Sequence, residues 1–277
     1  MRASAPMTQR RSGDRSRRGT PRDVPVMLVY VLVVCAVGVG MALRLGALSM
    51  PHAPAVWTEP HAVEELAQVI PTRDDSYTDW DAERYPDYYR VVGRAVVDVE
   101  VPAGEIWYAP LDRLGRTVRA VGTIDTKMME EGIARERQSL QGNDPSGWGH
   151  NAETDISLPE GDVYHGHFWN RSHLIAKSLG GSDEVNNLVC ATRMENVGPR
   201  NGNGGMSYAE SRAREWLSKH PEGTLYYSAM PVYQGNELVC RSVIVDMRSS
   251  DGELDLQLEV FNAALGHTIN YETGEFT

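Results

Sequence analysis

The first pattern along the chain is an unbroken apolar run. Pro25 to Leu43 is nineteen residues without a charge, long enough to cross a bilayer as a helix. Seven arginines precede the run and only Arg44 follows closely. Cytoplasmic flanks carry the positive charge, so this bias places the N-terminus inside and everything past residue 50 outside. The expected organisation is a cytoplasmic Arg-rich tail over residues 1–24, a transmembrane signal anchor over 25–45, a linker or stalk over 46–90 and an extracytoplasmic domain over 91–277. A cleaved signal peptide is the alternative, and it exports the same domain.

Beyond residue 90 the polar and apolar positions alternate in short stretches. Val96–Val101, Ile106–Ala109 and Thr117–Gly122 read as strands. Asp125–Ser139 has helical spacing, and Gln141–His150 is a Gly/Pro/Trp loop. Val163–Ile175 reads as one strand and Asn187–Thr192 as another. Ser207–His220 is a helix stopped by Pro221. Thr224–Tyr233, Leu238–Met247 and Leu254–Asn262 close the chain as strands, with Ser249–Gly252 as a turn. The fold class is therefore α+β with an antiparallel sheet. The tyrosine-rich, acidic stretch over 77–89 is expected to pack loosely rather than to stack bases.

Charge changes the picture. The chain carries −11, but residues 1–49 hold eight Arg against two Asp, so the rest carries −17. A partner held by counterion displacement needs Lys and Arg, so nucleic acid requires a local basic strip or a bridging metal. Residues 165–220 supply such a strip, with seven Lys or Arg against five acids. Of the three cysteines, Cys190 and Cys240 fall in two strand-like segments. An extracytoplasmic domain allows a Cys190–Cys240 disulfide, and two buried thiols are the equal alternative.

The chemistry concentrates between His165 and Arg214. In a single strand His165, His167, Trp169, Arg171 and His173 share one face, and such a face is better suited to the wall of a site than to a core. Two histidines on one face also raise a zinc site of His165, His167 and His173, although no fourth ligand has a fixed spacing. Glu210 and Arg214 stand four apart on one side of the helix, as in an ordinary surface ion pair.

Asn170-Arg171-Ser172-His173, then Asn187-Leu188, Asn196 and Glu210, occur in the order seen in the DNA/RNA non-specific endonucleases of the ββα-metal (His-Me finger) group. The chain resembles that family over roughly residues 105–262, and Pro145-Ser146-Gly147-Trp148 resembles a piece of its secreted bacterial members. It departs from the family at Asn170, where the family has Asp, and at Ser172, where it has Gly. The resemblance implies a metal-dependent, non-specific endonuclease acting on DNA, RNA or both. His173 would be its general base, with Arg171, Glu210 and Arg214 catalytic. Asn196 would bind Mg²⁺ or Mn²⁺, with Asn187 as the competing ligand. Arg193, Arg212 and Arg137 (or its neighbour Arg135) would contact the phosphate backbone. The altered motif leaves a second expectation, a catalytically impaired nuclease-like module that binds nucleic acid or a partner at the cell surface.

Overall fold

A computed structural model describes residues 78–200 and 202–277. The tail, the proposed anchor and most of the proposed stalk lie outside the described residues. Among those described, no helix is long and apolar enough to cross a membrane.

A six-stranded antiparallel sheet forms the body, in the order β1-β10-β9-β8-β3-β2. Its strands are β1 (Tyr89–Gly93), β2 (Glu105–Tyr108), β3 (Ala120–Asp125), β8 (Thr224–Val232), β9 (Ser242–Ser249) and β10 (Asp255–Phe261). The period-two pattern sends alternate side chains to opposite faces. Leu225, Tyr227, Val243, Val245, Met247, Leu258 and Val260 point to one side. There they meet Met206, Ala209, Ala213 and Leu217 of the helix Gly205–Lys219 (α3). Tyr226 and Val121 face the other side with Val101 and Val118.

Two expected elements change. Val96–Val101 is not a strand, and side-chain carboxylates take the backbone donors where it would begin. Asp255 accepts from the Ala95 N–H at 2.9 Å and Asp246 from that of Val96 at 2.8 Å. Val96 and Val97 stay exposed, and the edge strand β1 instead starts at Tyr89, paired with Val260. The boundary expected at residue 91 therefore falls too late. Tyr88 is fully buried, Trp80 stacks on it at 4.5 Å, and Tyr89 stacks on Tyr208 at 4.0 Å.

Val163–Ile175 is likewise two strands. β5 (Val163–His167) pairs with β4 (Glu153–Ser157), and β6 (Trp169–His173) pairs with β7 (Leu188–Thr192) in a separate hairpin. Phe168 lies between them, buried and stacked on Phe276 at 3.8 Å. Phe276 belongs to a closing hairpin of β11 (Ile269–Asn270) and β12 (Glu275–Phe276). Glycine lets the parts above β6 and β7 come together. Gly205 has φ +54°, and a Cβ there would lie 2.0 Å from the Glu195 carbonyl. That approach seats α3 against the short helix Arg193–Val197 (α2).

Candidate active site

The hairpin β6–β7, then α2 and α3, form one side of a cleft of about 660 Å³. Its lining brings together Arg137, Arg171, His173, Asn196, Glu210 and Arg214. Lys177 and Asp183, which the sequence did not single out, line it as well. Four cationic side chains (Arg137, Arg171, Lys177, Arg214) face two acidic ones (Asp183, Glu210), so the cleft is basic within an acidic domain.

His173 ends β6 opposite Leu188 of β7. Its Nε2 lies 2.9 Å from Asp183 Oδ1. Burial lowers the pKa of the imidazole, Asp183 offsets part of that effect, and Arg135 and Arg137 add to the lowering. The ring is therefore held toward its neutral form at neutral pH.

Asn196 lies in α2, whose start is set by Thr192, the hydroxyl of which accepts the Glu195 N–H at 3.0 Å. The Asn196 amide nitrogen donates to Asn170 Oδ1 at 3.2 Å. The Ser172 hydroxyl donates to Asn196 Oδ1 at 3.3 Å. Both departures from the family motif thus touch this one side chain. An amide oxygen at 170 accepts as a carboxylate would, so the orientation of Asn196 survives the change.

Asn187, the competing ligand, is excluded by its surroundings. It is fully buried, accepts the Ile175 N–H at 3.0 Å, and donates to the carbonyls of Ile175 at 2.9 Å and Ser182 at 2.8 Å. Its amide is consumed in pinning the β6–β7 loop.

Glu210 and Arg214 sit one turn apart on α3, with Arg214 Nη1 3.5 Å from Glu210 Oε2. Arg214 also donates to Ser178 Oγ at 2.8 Å and Ser211 Oγ at 3.0 Å. Burial raises the Glu210 carboxyl above its usual range, and Arg214 counteracts part of this. Arg171 lies over the Trp148 ring at 4.0 Å and donates to Asp144 through Nε at 2.9 Å. The Pro145–Trp148 segment therefore serves as a platform for a cationic side chain.

Several expectations need correction. Arg193 packs beside Tyr164 at 5.3 Å rather than in the cleft. Arg212 is exposed and paired with Glu215 at 3.4 Å, pointing away from the cleft because it stands two positions before Arg214 on the helix. Of the two candidates at the end of α1 (Thr126–Ala134), Arg137 lines the cleft while Arg135 donates to the Gly181 carbonyl. Cys190 and Cys240 are buried free thiols, not a disulfide. The proposed zinc triad is not assembled, since the break at Phe168 takes His165 and His167 onto β5, where His165 bonds to Asp155. Among the described residues, the group of three potential ligands is instead His220, Asp251 and Glu253.

Sequence reasoning also passed over Glu195. It is completely buried, with the Ser172 hydroxyl beside its carboxylate. Burial pushes its pKa up to about 8, the Ser172 hydroxyl offsets part of this, and the nearby Glu210 adds to the rise. An acid inside a short helix next to a ligand-like Asn carries no pattern that would have marked it.

Known proteins resemble this chain in sequence and fold. The family model for DNA/RNA non-specific endonucleases matches residues 97–251. A deoxyribonuclease of Streptococcus dysgalactiae subsp. equisimilis is 30% identical over 239 residues, covering 69% of this chain and 72% of that protein. The structure of Sda1 nuclease with bound zinc ion superposes with a TM-score of 0.69 at 32% identity, covering 72% of this chain and 99% of that one. NucA from Streptococcus agalactiae with magnesium ion bound shares the fold, with a TM-score of 0.50 at 22% identity over 67% of this chain and 83% of that one. With more than half of its length matched and the cleft assembled from the motif residues, the chain belongs to the DNA/RNA non-specific endonuclease family, and it is a nuclease.

Proposed function

We propose that the chain is a metal-dependent, sequence-non-specific endonuclease of the ββα-metal type, with His173 as general base. The observation that carries this reading is the meeting of His173, Asn196, Glu210 and Arg214 in one basic cleft. His173, held toward neutrality, accepts a proton from a water molecule. The water oxygen attacks phosphorus, the phosphodiester bond to the leaving oxygen breaks, and that oxygen takes a proton from solvent. Arg171, Arg137 and Arg214 hold phosphate oxygens, and guanidinium forks suit them.

The donor set fits a hard divalent cation. Asn196 offers a neutral amide oxygen whose nitrogen is already engaged by Asn170, and the half-buried Glu210 offers a carboxylate. So few protein ligands, all oxygen, match Mg²⁺, with Mn²⁺ as the alternative. Once bound, the ion would neutralise phosphate charge and stabilise the departing oxygen. Relatives whose structures carry zinc and magnesium are consistent with a divalent site. With phosphate contacts but no base readout, binding is weak in sequence preference and sensitive to salt. The domain acts outside the cytoplasm, tethered through residues 25–45 or released if that segment is cleaved.

The test uses the full chain in detergent beside its His173→Ala variant, with plasmid DNA and with RNA, in Mg²⁺ and in EDTA. Cleavage by the wild type in Mg²⁺ alone, lost in the variant, is expected. A wild type that binds but cuts neither substrate with any divalent metal would overturn the enzyme reading in favour of a binding module.

A further inference from the structure

The loop between β6 and β7 is held more firmly than a connection needs to be. The Ser182 N–H donates to the Tyr108 hydroxyl at 2.9 Å, and the Ser182 carbonyl accepts from Asn187 at 2.8 Å. Arg135 donates to the Gly181 carbonyl at 2.5 Å, and Asn143 to the Asp183 carbonyl at 2.6 Å. At Gly181 the backbone passes so close to Ile175 that a Cβ would lie 1.8 Å from its carbonyl oxygen. Tyr108, Arg135 and Asn143, all distant in sequence, together with the nearby Asn187, thus fix three successive residues, and the side chain they aim is Asp183, 2.9 Å from His173 Nε2. A carboxylate in a cleft meant for a polyanion repels its substrate, so its presence there calls for another role.

We propose that Asp183 is a positioning residue for the reaction: its carboxylate accepts the Nε2 proton of His173, fixing the ring and the tautomer that leaves Nδ1 to act as the base. This rests on the reading of His173 as the base. The oxygen of a carboxylate accepts only, so Nε2 must be the protonated nitrogen of the neutral ring. A second hydrogen-bonded group that fixes an imidazole in this way is a general device of such sites. The charged groups acting on His173 are Asp183 on one side and Arg135 and Arg137 on the other.

The experiment compares the full chain with Asp183→Asn, Asp183→Glu, His173→Ala and the double variant, reading kcat and KM on plasmid DNA with Mg²⁺ across pH. Asp183→Asn keeps the size and all four backbone anchors. It should lower kcat about 10- to 100-fold, within the ~10²–10⁴ contribution of a general base, without raising KM. Asp183 favours the protonated ring, so its loss should move the acid limb of the profile to lower pH. Asp183→Glu should recover part of kcat. In a His173→Ala background the same change should cost nothing further. Activity within twofold of wild type with an unmoved acid limb would overturn the proposal. So would a loss that persists in the His173→Ala background. An inactive wild type would instead defeat the nuclease reading itself, and the two failures are distinguishable.

Discussion

Asn187→Ala isolates what the buried amide does. The change removes one acceptor and two donors at a fully buried position. The N–H and C=O of Ile175 are left without partners inside the core, at about 1–3 kcal/mol each. The half-buried Ser182 carbonyl can turn to solvent and adds little. The expected loss is therefore about 4 kcal/mol of unfolding free energy. At roughly 2–4 °C per kcal/mol for a domain of this size, the melting temperature should fall by about 8–16 °C. Urea unfolding followed by tryptophan fluorescence measures it, and the midpoint should drop with an unchanged slope. Asn187→Asp makes a sharper control, since it keeps the acceptor and loses both donors. Its carboxylate would face two carbonyl oxygens, so it should be destabilised at pH 8 and partly recover when protonated. A loss below about 1 kcal/mol for Asn187→Ala, accompanied by weakened metal binding, would refute the structural role and make Asn187 the ligand instead.

Three further outcomes are expected. Cys190 and Cys240, whose thiols burial pushes well above their usual range, should react with a thiol reagent only after unfolding. Reductant should leave the melting temperature unchanged, whereas a fall of several degrees would reveal a disulfide. Arg214→Ala should lower kcat/KM roughly 10- to 100-fold, in line with a lost charge-assisted hydrogen bond. Arg212→Ala should stay within twofold, and equal effects at the two positions would contradict the cleft. In metal-free protein, Glu195 keeps its proton up to about pH 8, while in the unfolded chain it releases it near ~4.3. The native state then binds more protons between those values, so stability falls as pH rises through that window. Melting curves of Glu195→Gln should therefore converge with wild type near pH 4 and run higher at pH 8. Parallel curves would deny the buried acid its penalty.

The sequence spoke most clearly where one residue type answers one demand. The helix expected over Ser207–His220 from its period and from Pro221 forms over Gly205–Lys219, and the terminal strands followed from alternation. His173, Asn196, Glu210 and Arg214 were marked by the resemblance of the chain's motif residues to the endonuclease family, and the cleft brings these four together. The misses have a common cause. Val96–Val101 alternates like a strand, yet Asp246 captures the Val96 N–H, and Asp255 that of Ala95 just before it, from more than a hundred residues away. Val163–Ile175 looks continuous because nothing in its pattern shows that Phe168 must pack on Phe276. Asp183 sits in a Gly/Ser/Asp stretch typical of any turn, and only the folded loop brings it to His173. Arg193 and Arg212 were chosen for their charge alone, which does not specify direction.

The closing hairpin has a consequence in time. Trp169, the first residue of β6, donates its indole N–H to the Gly274 carbonyl at 2.9 Å, and Phe168 rests on Phe276. The pairing of Tyr89 with Val260 spans a still greater separation. Contacts so distant along the chain make folding slow, because long loops must close before their ends are rewarded. The hairpin that bears the base can form locally, but it gains its support only when the last hundred residues have been made and docked. A chain still being made should thus be a poor nuclease, because the support of the site is completed last.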